Sequence, residues 1–109
     1  MIMAKWVKKA GYETLLLAGE KDLDSAGAEA QLVRFRRGKY SHFHKKKTEL
    51  FYFTAGSGRA IIGGVEKRLG RGSWLLVPPN VIHKFVNEAE APLEAIMLKT
   101  NSRRGDTYK

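Results

Sequence analysis

The sequence contains no cysteine, and this absence excludes two kinds of protein. Without thiols the chain forms neither a disulfide-stabilised fold nor a zinc site built on thiolates. It also lacks an apolar run long enough to span a membrane or to form the core of a signal peptide. We therefore expect a cytoplasmic protein, in which any metal would be held by nitrogen and oxygen ligands.

Acidic residues are also scarce, with 11 Asp and Glu against 20 Lys and Arg and a formal net charge of +9. This excess permits a solvated basic surface, an anionic small substrate or a nucleic-acid partner. The basic residues form short scattered clusters, such as residues 45–47, and no helix-turn-helix or RNA-binding aromatic motif accompanies them. We favour the solvated surface, with an anionic substrate second and nucleic acid least favoured.

Helical periodicity is missing as well, whereas short apolar runs separated by glycine and proline recur along the chain. The pattern predicts an all-β sandwich or barrel, and 109 residues fit one domain spanning residues 1–109. The predicted strands are 14–17, 30–35, 40–44, 50–54, 58–62, 65–69, 74–77, 83–86 and 93–99. Residues 22–28 are expected to form a loop or a brief helical turn. The polar tail 100–109 is expected to fray or to pack across an opening.

Two turns are specified by their residues. Gly63-Gly64 predicts a tight hairpin, because primed turns need positive φ angles that glycine adopts without strain. Pro78-Pro79-Asn80 ends the strand at 74–77, because proline cannot donate a hydrogen bond to a neighbouring strand. The second turn lies just before His83.

Histidine occurs only three times, at positions 42, 44 and 83. Alternate side chains of a strand share a face, so His42 and His44 are expected to point to the same side. Glu49 follows after a turn and opens the apolar run 50–53, which we expect to return as the antiparallel neighbour of 40–44. A carboxylate would then meet the imidazoles across this strand pair.

These side chains together predict a metal site formed by His42, His44, Glu49 and His83. Imidazole with carboxylate suits iron, manganese, nickel, copper or zinc, whereas calcium and magnesium prefer more oxygen ligands. Each histidine alone has a simpler interpretation as a core or turn residue. Glu49 alone also has a simpler interpretation, as a surface carboxylate paired with the lysines at 45–47. The joint spacing favours the metal site.

Three aromatic residues are placed by alternation beside these ligands. Phe51 lies two residues from Glu49, Phe85 two from His83, and Tyr40 two from His42, so we expect all three to line a pocket. Tyr40 is the candidate catalytic residue, as a donor of a proton or a hydrogen bond to substrate. The alternative for Tyr40 is a packed core tyrosine.

The order of these residues resembles the two motifs of the cupins. The first motif reads Gly38, His42-Phe43-His44, Glu49 and Gly56, and the second reads Gly72, Pro78, His83 and Asn87. This chain departs from the family pattern in the shorter spacing after Gly38 and in having Asn80 where the family has glycine. Asparagine tolerates the left-handed backbone better than most residues, so Asn80 can serve the same turn.

The resemblance implies a double-stranded β-helix (jelly-roll) barrel with the same four residues as ligands of a divalent transition metal, iron, manganese, nickel or zinc. It also implies a homodimer, since the family commonly pairs subunits through strand edges. Asn87 is expected to stabilise a turn rather than to touch a substrate.

Three classes of function share such a site. The first is an oxygen-using enzyme such as a dioxygenase, and the second an isomerase, epimerase or lyase acting on a sugar or keto acid. The third is a barrel that binds a small molecule or a metal without turnover, because a fold alone does not fix activity. The positive charge of the chain favours the second class over the first. No nucleic-acid or membrane partner is expected.

Overall fold

The computed structural model describes residues 5–103 and 105–108, apart from the side chains of His42, Phe43 and Thr107. All nine predicted strands are present. The described part of the chain has two further short strands, one near each end, and one helical turn. The elements are β1 (Trp6–Lys8), β2 (Tyr12–Ala18), α1 (Glu20–Leu23), β3 (Glu29–Phe35), β4 (Gly38–His44), β5 (Thr48–Ala55), β6 (Gly58–Ile62), β7 (Val65–Leu69), β8 (Trp74–Val77), β9 (His83–Asn87), β10 (Leu93–Thr100) and β11 (Thr107–Tyr108).

The strands form two antiparallel sheets that pack as a jelly-roll barrel, which confirms the predicted fold class. The six-stranded sheet has the order β1-β2-β3-β10-β5-β8, and the five-stranded sheet has the order β11-β4-β9-β6-β7. Inward-facing side chains of both sheets build one hydrophobic core. In its centre the ring of Phe35, from the first sheet, stacks on the ring of Phe85, from the second, with 4.7 Å between centroids.

The predicted pairing of β4 with β5 is wrong. β4 pairs with β9 and β11, whereas β5 pairs with β8 and β10 in the other sheet. The turn at 45–47 therefore carries the chain from one sheet to the opposite one. Residues at the end of β4 and the start of β5 meet across the barrel interior, not along a strand ladder.

Both predicted turns are confirmed. Gly63 and Gly64 have φ angles of 55° and 85° and join β6 to β7, with Ile62 opposite Val65. Asn80 has a φ angle of 65°, so it adopts the left-handed conformation that the turn before β9 requires. Its backbone N–H donates a hydrogen bond of 2.5 Å to the carbonyl oxygen of His44, which ties this turn to the end of β4.

Asn87 closes the end of β9, as predicted. Its buried side-chain amide donates to the carbonyl oxygens of Phe35 and Ala91, and its side-chain oxygen accepts a hydrogen bond from the backbone N–H of Ala89.

In the described part of the chain the helix α1 has four residues, and no helix approaches the length of about 20 apolar residues that crosses a membrane.

Candidate metal centre

Three predicted ligands come from three different strands. His44 is the last residue of β4, Glu49 the second residue of β5 and His83 the first residue of β9. Alternation turns each side chain toward the barrel interior, and all three are buried. The interpretation of Glu49 as a surface carboxylate is therefore wrong, because only 4% of the residue is exposed.

The three side chains converge on one point. The distance from Glu49 Oε1 is 3.2 Å to His44 Nε2 and 3.5 Å to His83 Nε2. One nitrogen or oxygen atom from each residue lies within 4.8 Å of those of the other two, a grouping that could hold a metal ion. The fourth predicted ligand, His42, lies opposite His83 in the backbone register of β4 and β9, and its side chain is outside the described part of the chain.

Backbone carbonyl groups orient both imidazole rings. His44 Nδ1 lies 3.0 Å from the carbonyl oxygen of Asp106, and His83 Nδ1 lies 3.3 Å from that of Val81. A carbonyl oxygen only accepts hydrogen bonds, so Nδ1 is the donor in each ring. In the neutral imidazole Nε2 then carries the lone pair, which is the arrangement found in metal-binding histidines. Two imidazole nitrogens and a carboxylate oxygen directed at one another fit a cation.

The protonation of the cluster also suits a metal. Burial lowers the pKa of the His83 imidazole, although the Glu49 carboxylate opposes this effect. Burial alone would raise the pKa of Glu49, but the adjacent His44 and the charge of Lys47 outweigh it and hold this pKa below its ordinary value. A neutral imidazole and an ionised carboxylate are the forms that bind metal.

The turn between His44 and Glu49 is held by Asp106, a residue that the sequence motifs do not include. The Asp106 carboxylate accepts hydrogen bonds of 3.0, 2.9 and 3.1 Å from the backbone N–H groups of Lys45, Lys46 and Lys47. Its own carbonyl oxygen orients His44, and β11 next to it pairs with the end of β4. The described residues of the tail therefore pack against the candidate metal centre.

A cavity of about 550 Å³ lies beside the cluster. His44 and Glu49 form part of its wall, while His83 lies fully buried beyond it. The predicted lining residues Phe51 and Phe85 are confirmed. Eight charged side chains line the cavity. Four are cationic, Lys9, Lys47, Lys99 and Arg103, and four are acidic, Glu20, Glu29, Glu49 and Asp106. Strand alternation could have identified Lys99, because it follows the inward-facing Met97 by two positions.

Tyr40 does not line this cavity, contrary to the prediction. Its ring packs against Tyr12 and Phe35, with centroid distances of 6.0 and 5.6 Å, and its hydroxyl lies 2.5 Å from the carbonyl oxygen of Gly11 and 2.7 Å from that of Arg36. These contacts match the alternative of a packed tyrosine, and a catalytic role for Tyr40 stays a prediction.

Tyr12 is the tyrosine that lines the cavity. Burial, with the charge of Glu49 as a smaller cause, raises the pKa of Tyr12, so its hydroxyl keeps its proton at neutral pH. Tyr12 was not predicted at the site, because β2 reaches it only through the folded sheet.

The fold and the cluster together define a small jelly-roll barrel with a possible His/Glu/His metal site. The family model described as "Cupin domain" matches residues 31–99, so the chain belongs to the cupins. This match confirms the resemblance carried by the two motifs. No curated protein matches the sequence.

Solved structures with the same fold share little sequence with this chain. KdgF from Halomonas sp. is 22% identical, with a TM-score of 0.76, over 92% of this chain and 88% of that one. The nucleoside dehydratase Pac13 from Streptomyces is 19% identical, with a TM-score of 0.75, over 95% and 82%. A predicted oxalate decarboxylase from Thermotoga maritima is 17% identical, with a TM-score of 0.77, over 92% and 93%.

Proposed function

We propose that this cupin is a metal-dependent enzyme of the isomerase or lyase type that acts on a small anionic substrate, such as a sugar acid, a sugar phosphate or a keto acid. The observation that carries the proposal is the convergence of His44 Nε2, His83 Nε2 and Glu49 Oε1 at the wall of a cavity. His42 would complete the ligand set.

The donor set favours a divalent transition metal, that is iron, manganese, nickel or zinc, over calcium or magnesium. When bound, such an ion acts as a Lewis acid that polarises a carbonyl or carboxylate oxygen of the substrate. The protein's own residues orient the two imidazoles through the carbonyl groups of Asp106 and Val81, and burial favours the neutral form of His83.

The charged side chains that remain available in the cavity favour an anionic substrate. Of the four acidic residues in its wall, Glu49 belongs to the candidate metal centre, Asp106 binds backbone N–H groups and Glu29 pairs with Lys99, which leaves Glu20 against Lys9, Lys47 and Arg103. Lys47 and Lys99 keep only 12% and 14% of their side chains exposed, so their charges act where water screens them weakly. Lys99 lies 3.3 Å from Glu29, and Lys47 lies 3.9 Å from Glu49 Oε2. We infer that Lys47 binds the substrate anion, with Lys9 and Arg103 attracting it to the cavity.

The apolar part of the wall would exclude water from the reacting groups. Phe51, Phe85 and Met97 line the cavity on the core side. Two structural neighbours carry lyase names, the nucleoside dehydratase and the predicted oxalate decarboxylase, and they support this class of reaction only as an analogy of fold.

Elemental analysis of natively purified protein tests the metal site. We expect near-stoichiometric transition metal in the wild type and in the control Lys84→Ala, and its loss in His83→Ala, because an incomplete ligand set holds a divalent ion poorly. Circular dichroism checks that all three proteins are folded. Metal retained by folded His83→Ala would refute the site.

A substrate panel then tests the reaction class. Metal-loaded protein is incubated under argon with sugar phosphates, uronic acids and keto acids, and products are followed by NMR. Turnover without oxygen, lost in His83→Ala, is expected. Turnover that needs oxygen uptake would instead assign an oxygenase, and binding without turnover under either condition would assign a non-catalytic barrel.

A further inference from the structure

The cavity beside the candidate metal centre is lined by successive rows of residues on the six-stranded sheet. The residues of one row lie opposite one another across antiparallel strands, and alternation turns them toward the barrel interior. Row by row, the lining residues are Glu49, Lys99 and Glu29, then Phe51, Met97 and Gln31, then Val33 and Thr14, and last Phe35 and Tyr12. The wall is therefore elongated along the strands, with the metal centre at one end and Tyr12 at the other.

The two ends of this wall belong to one continuous cavity. Successive rows are about 7 Å apart along a strand, because each residue adds about 3.4 Å. The charge of Glu49 nevertheless contributes to the raised pKa of the Tyr12 hydroxyl, so the two groups interact across the cavity. A small molecule bound at the metal centre can therefore extend along the wall toward Tyr12.

The chemical character of the wall changes along its length. The second row is apolar apart from Gln31, whose side-chain amide donates a hydrogen bond of 2.7 Å to Glu29 Oε2. Thr14 and Tyr12 then bring hydroxyl groups to the last two rows. A ligand that fills the cavity meets charged groups near the metal centre, apolar side chains in the middle and hydroxyl groups at the far end.

The Tyr12 hydroxyl is held in place and is available to a ligand. Its ring packs against Phe35 and Tyr40, with centroid distances of 5.8 and 6.0 Å. The Tyr40 hydroxyl binds the carbonyl oxygen of Gly11, the residue before Tyr12. Within the described part of the chain no residue forms a hydrogen bond with the Tyr12 hydroxyl itself. A fixed donor of this kind in a pocket is suited to orienting a polar group of a ligand.

We propose that Tyr12 determines the specificity of the site, by donating a hydrogen bond to a hydroxyl group at the far end of the substrate's carbon chain. The anionic group of the substrate would lie near the metal centre and Lys47, so this inference rests on the proposed function. Tyr40, through Gly11, acts as a positioning residue for Tyr12.

The substrate class that this arrangement selects is a sugar acid, in which a hydroxylated chain follows the carboxylate. A short keto acid bound at the metal centre would leave Tyr12 without a contact. The cavity of about 550 Å³ also lies within the range of roughly 300–1,000 Å³ found for pockets that take drug-sized ligands. Such a volume suits an extended molecule better than an acid of two or three carbon atoms.

Three acids with the same metal-binding group test the proposal. Gluconate, 2-hydroxyhexanoate and glycolate each carry a hydroxyl group beside the carboxylate, but only gluconate has a long hydroxylated chain. Isothermal titration calorimetry measures their affinities for the zinc-loaded protein. We expect gluconate to bind more tightly than glycolate. Tyr12→Phe should weaken gluconate binding about 3- to 10-fold, the usual effect of losing one neutral hydrogen bond, and leave the affinities for the other two acids unchanged.

Tyr52→Phe is the matched control, because Tyr52 is 50% exposed and does not line the cavity. It should bind all three acids like the wild type. Circular dichroism and zinc analysis check that Tyr12→Phe keeps its fold and its metal.

Two results would overturn the role of Tyr12 and leave the proposed function standing. One is a Tyr12→Phe variant that binds gluconate as tightly as the wild type does. The other is a variant that loses affinity for glycolate and gluconate equally, because Tyr12 would then not recognise the far end of the chain. A zinc-loaded wild type that binds none of the three acids at millimolar concentration would contradict the anion site of the proposed function, and with it this inference.

Discussion

At the scale of single residues, Asp106 supports the candidate metal centre although it lies far from the metal ligands in sequence. Its carboxylate binds three consecutive backbone N–H groups of the turn between His44 and Glu49. Successive N–H groups directed at one anion form a nest, which fixes the backbone of the turn. The same residue orients the His44 ring through its carbonyl oxygen. We therefore regard Asp106 as a positioning residue for the candidate metal centre.

The change Asp106→Ala removes the anion while leaving every ligand in place. We expect metal affinity to fall about 10- to 100-fold, as is usual when a group supporting a ligand is lost, because the turn no longer holds His44 and Glu49 at a fixed separation. Competition with a chromophoric chelator measures the affinity. Asp22→Ala is the control, since Asp22 also accepts a bond from a backbone N–H, at Gly19, but does not line the cavity. Equal affinity in both variants would contradict the role.

At the scale of elements, the turn before β9 connects two ligands. Asn80 adopts φ of 65° and donates its N–H to the carbonyl oxygen of His44, while His83 begins β9 three residues later. Asn80→Gly should keep both stability and metal binding, because glycine adopts this conformation freely. Asn80→Val should lower the free energy of unfolding by about 1–2 kcal/mol, the cost of a left-handed backbone, and more for a branched side chain.

Urea unfolding of the wild type and the two Asn80 variants measures this difference in the free energy of unfolding. Metal titration of the same samples shows whether a strained turn also weakens metal binding. We expect Asn80→Val to bind metal more weakly than Asn80→Gly. A valine variant as stable as the wild type would mean that the turn can form without the left-handed residue.

The elements also show what a sequence can and cannot specify. The central strands were predictable because their apolar residues alternate with period two, a local signal. β1 and β11 have three and two residues, and they exist through pairing with β2 and β4, which no local pattern encodes. The prediction that β4 pairs with β5 was wrong for the same reason. A short turn can connect two strands of one sheet or strands of two different sheets, and no local pattern distinguishes these cases.

The residues of the candidate site also fall into two groups, those that the sequence predicts and those that only the folded structure reveals. His44 and Glu49 lie five residues apart, and the resemblance to the two cupin motifs added the distant His83, so the sequence predicted that these three side chains meet. Asp106 and Tyr12 reach the site from distant strands, and only the folded barrel places them there. Tyr40 is a residue that the sequence placed at the cavity and the fold does not. Strand alternation predicted the face of β4 on which it lies, but not the carbonyl groups that bind its hydroxyl.

At the scale of the whole molecule, the net charge of +9 is spread over separate regions. Arg34 and Arg36 both pair with Glu13 on the six-stranded sheet. Arg59, on the other sheet, pairs with Glu66 and Glu88. These ion pairs reduce the local positive field, and Lys9, Lys47, Lys99 and Arg103 surround a cavity rather than a groove that could follow a phosphate backbone.

We therefore predict weak binding of nucleic acid despite the charge. Fluorescence anisotropy with a labelled mixed-sequence duplex should give a dissociation constant no tighter than about 10⁻⁴ M at physiological salt, the weak end of non-specific binding. Repeating the titration at low salt measures how many phosphates are contacted, since the logarithm of affinity falls by about 0.9 per neutralised phosphate for each unit in the logarithm of salt concentration. Scattered charges should give a shallow slope. Micromolar binding with a steep slope would instead show that the basic clusters act together on a polyanion, and would move the search for a partner away from small anions.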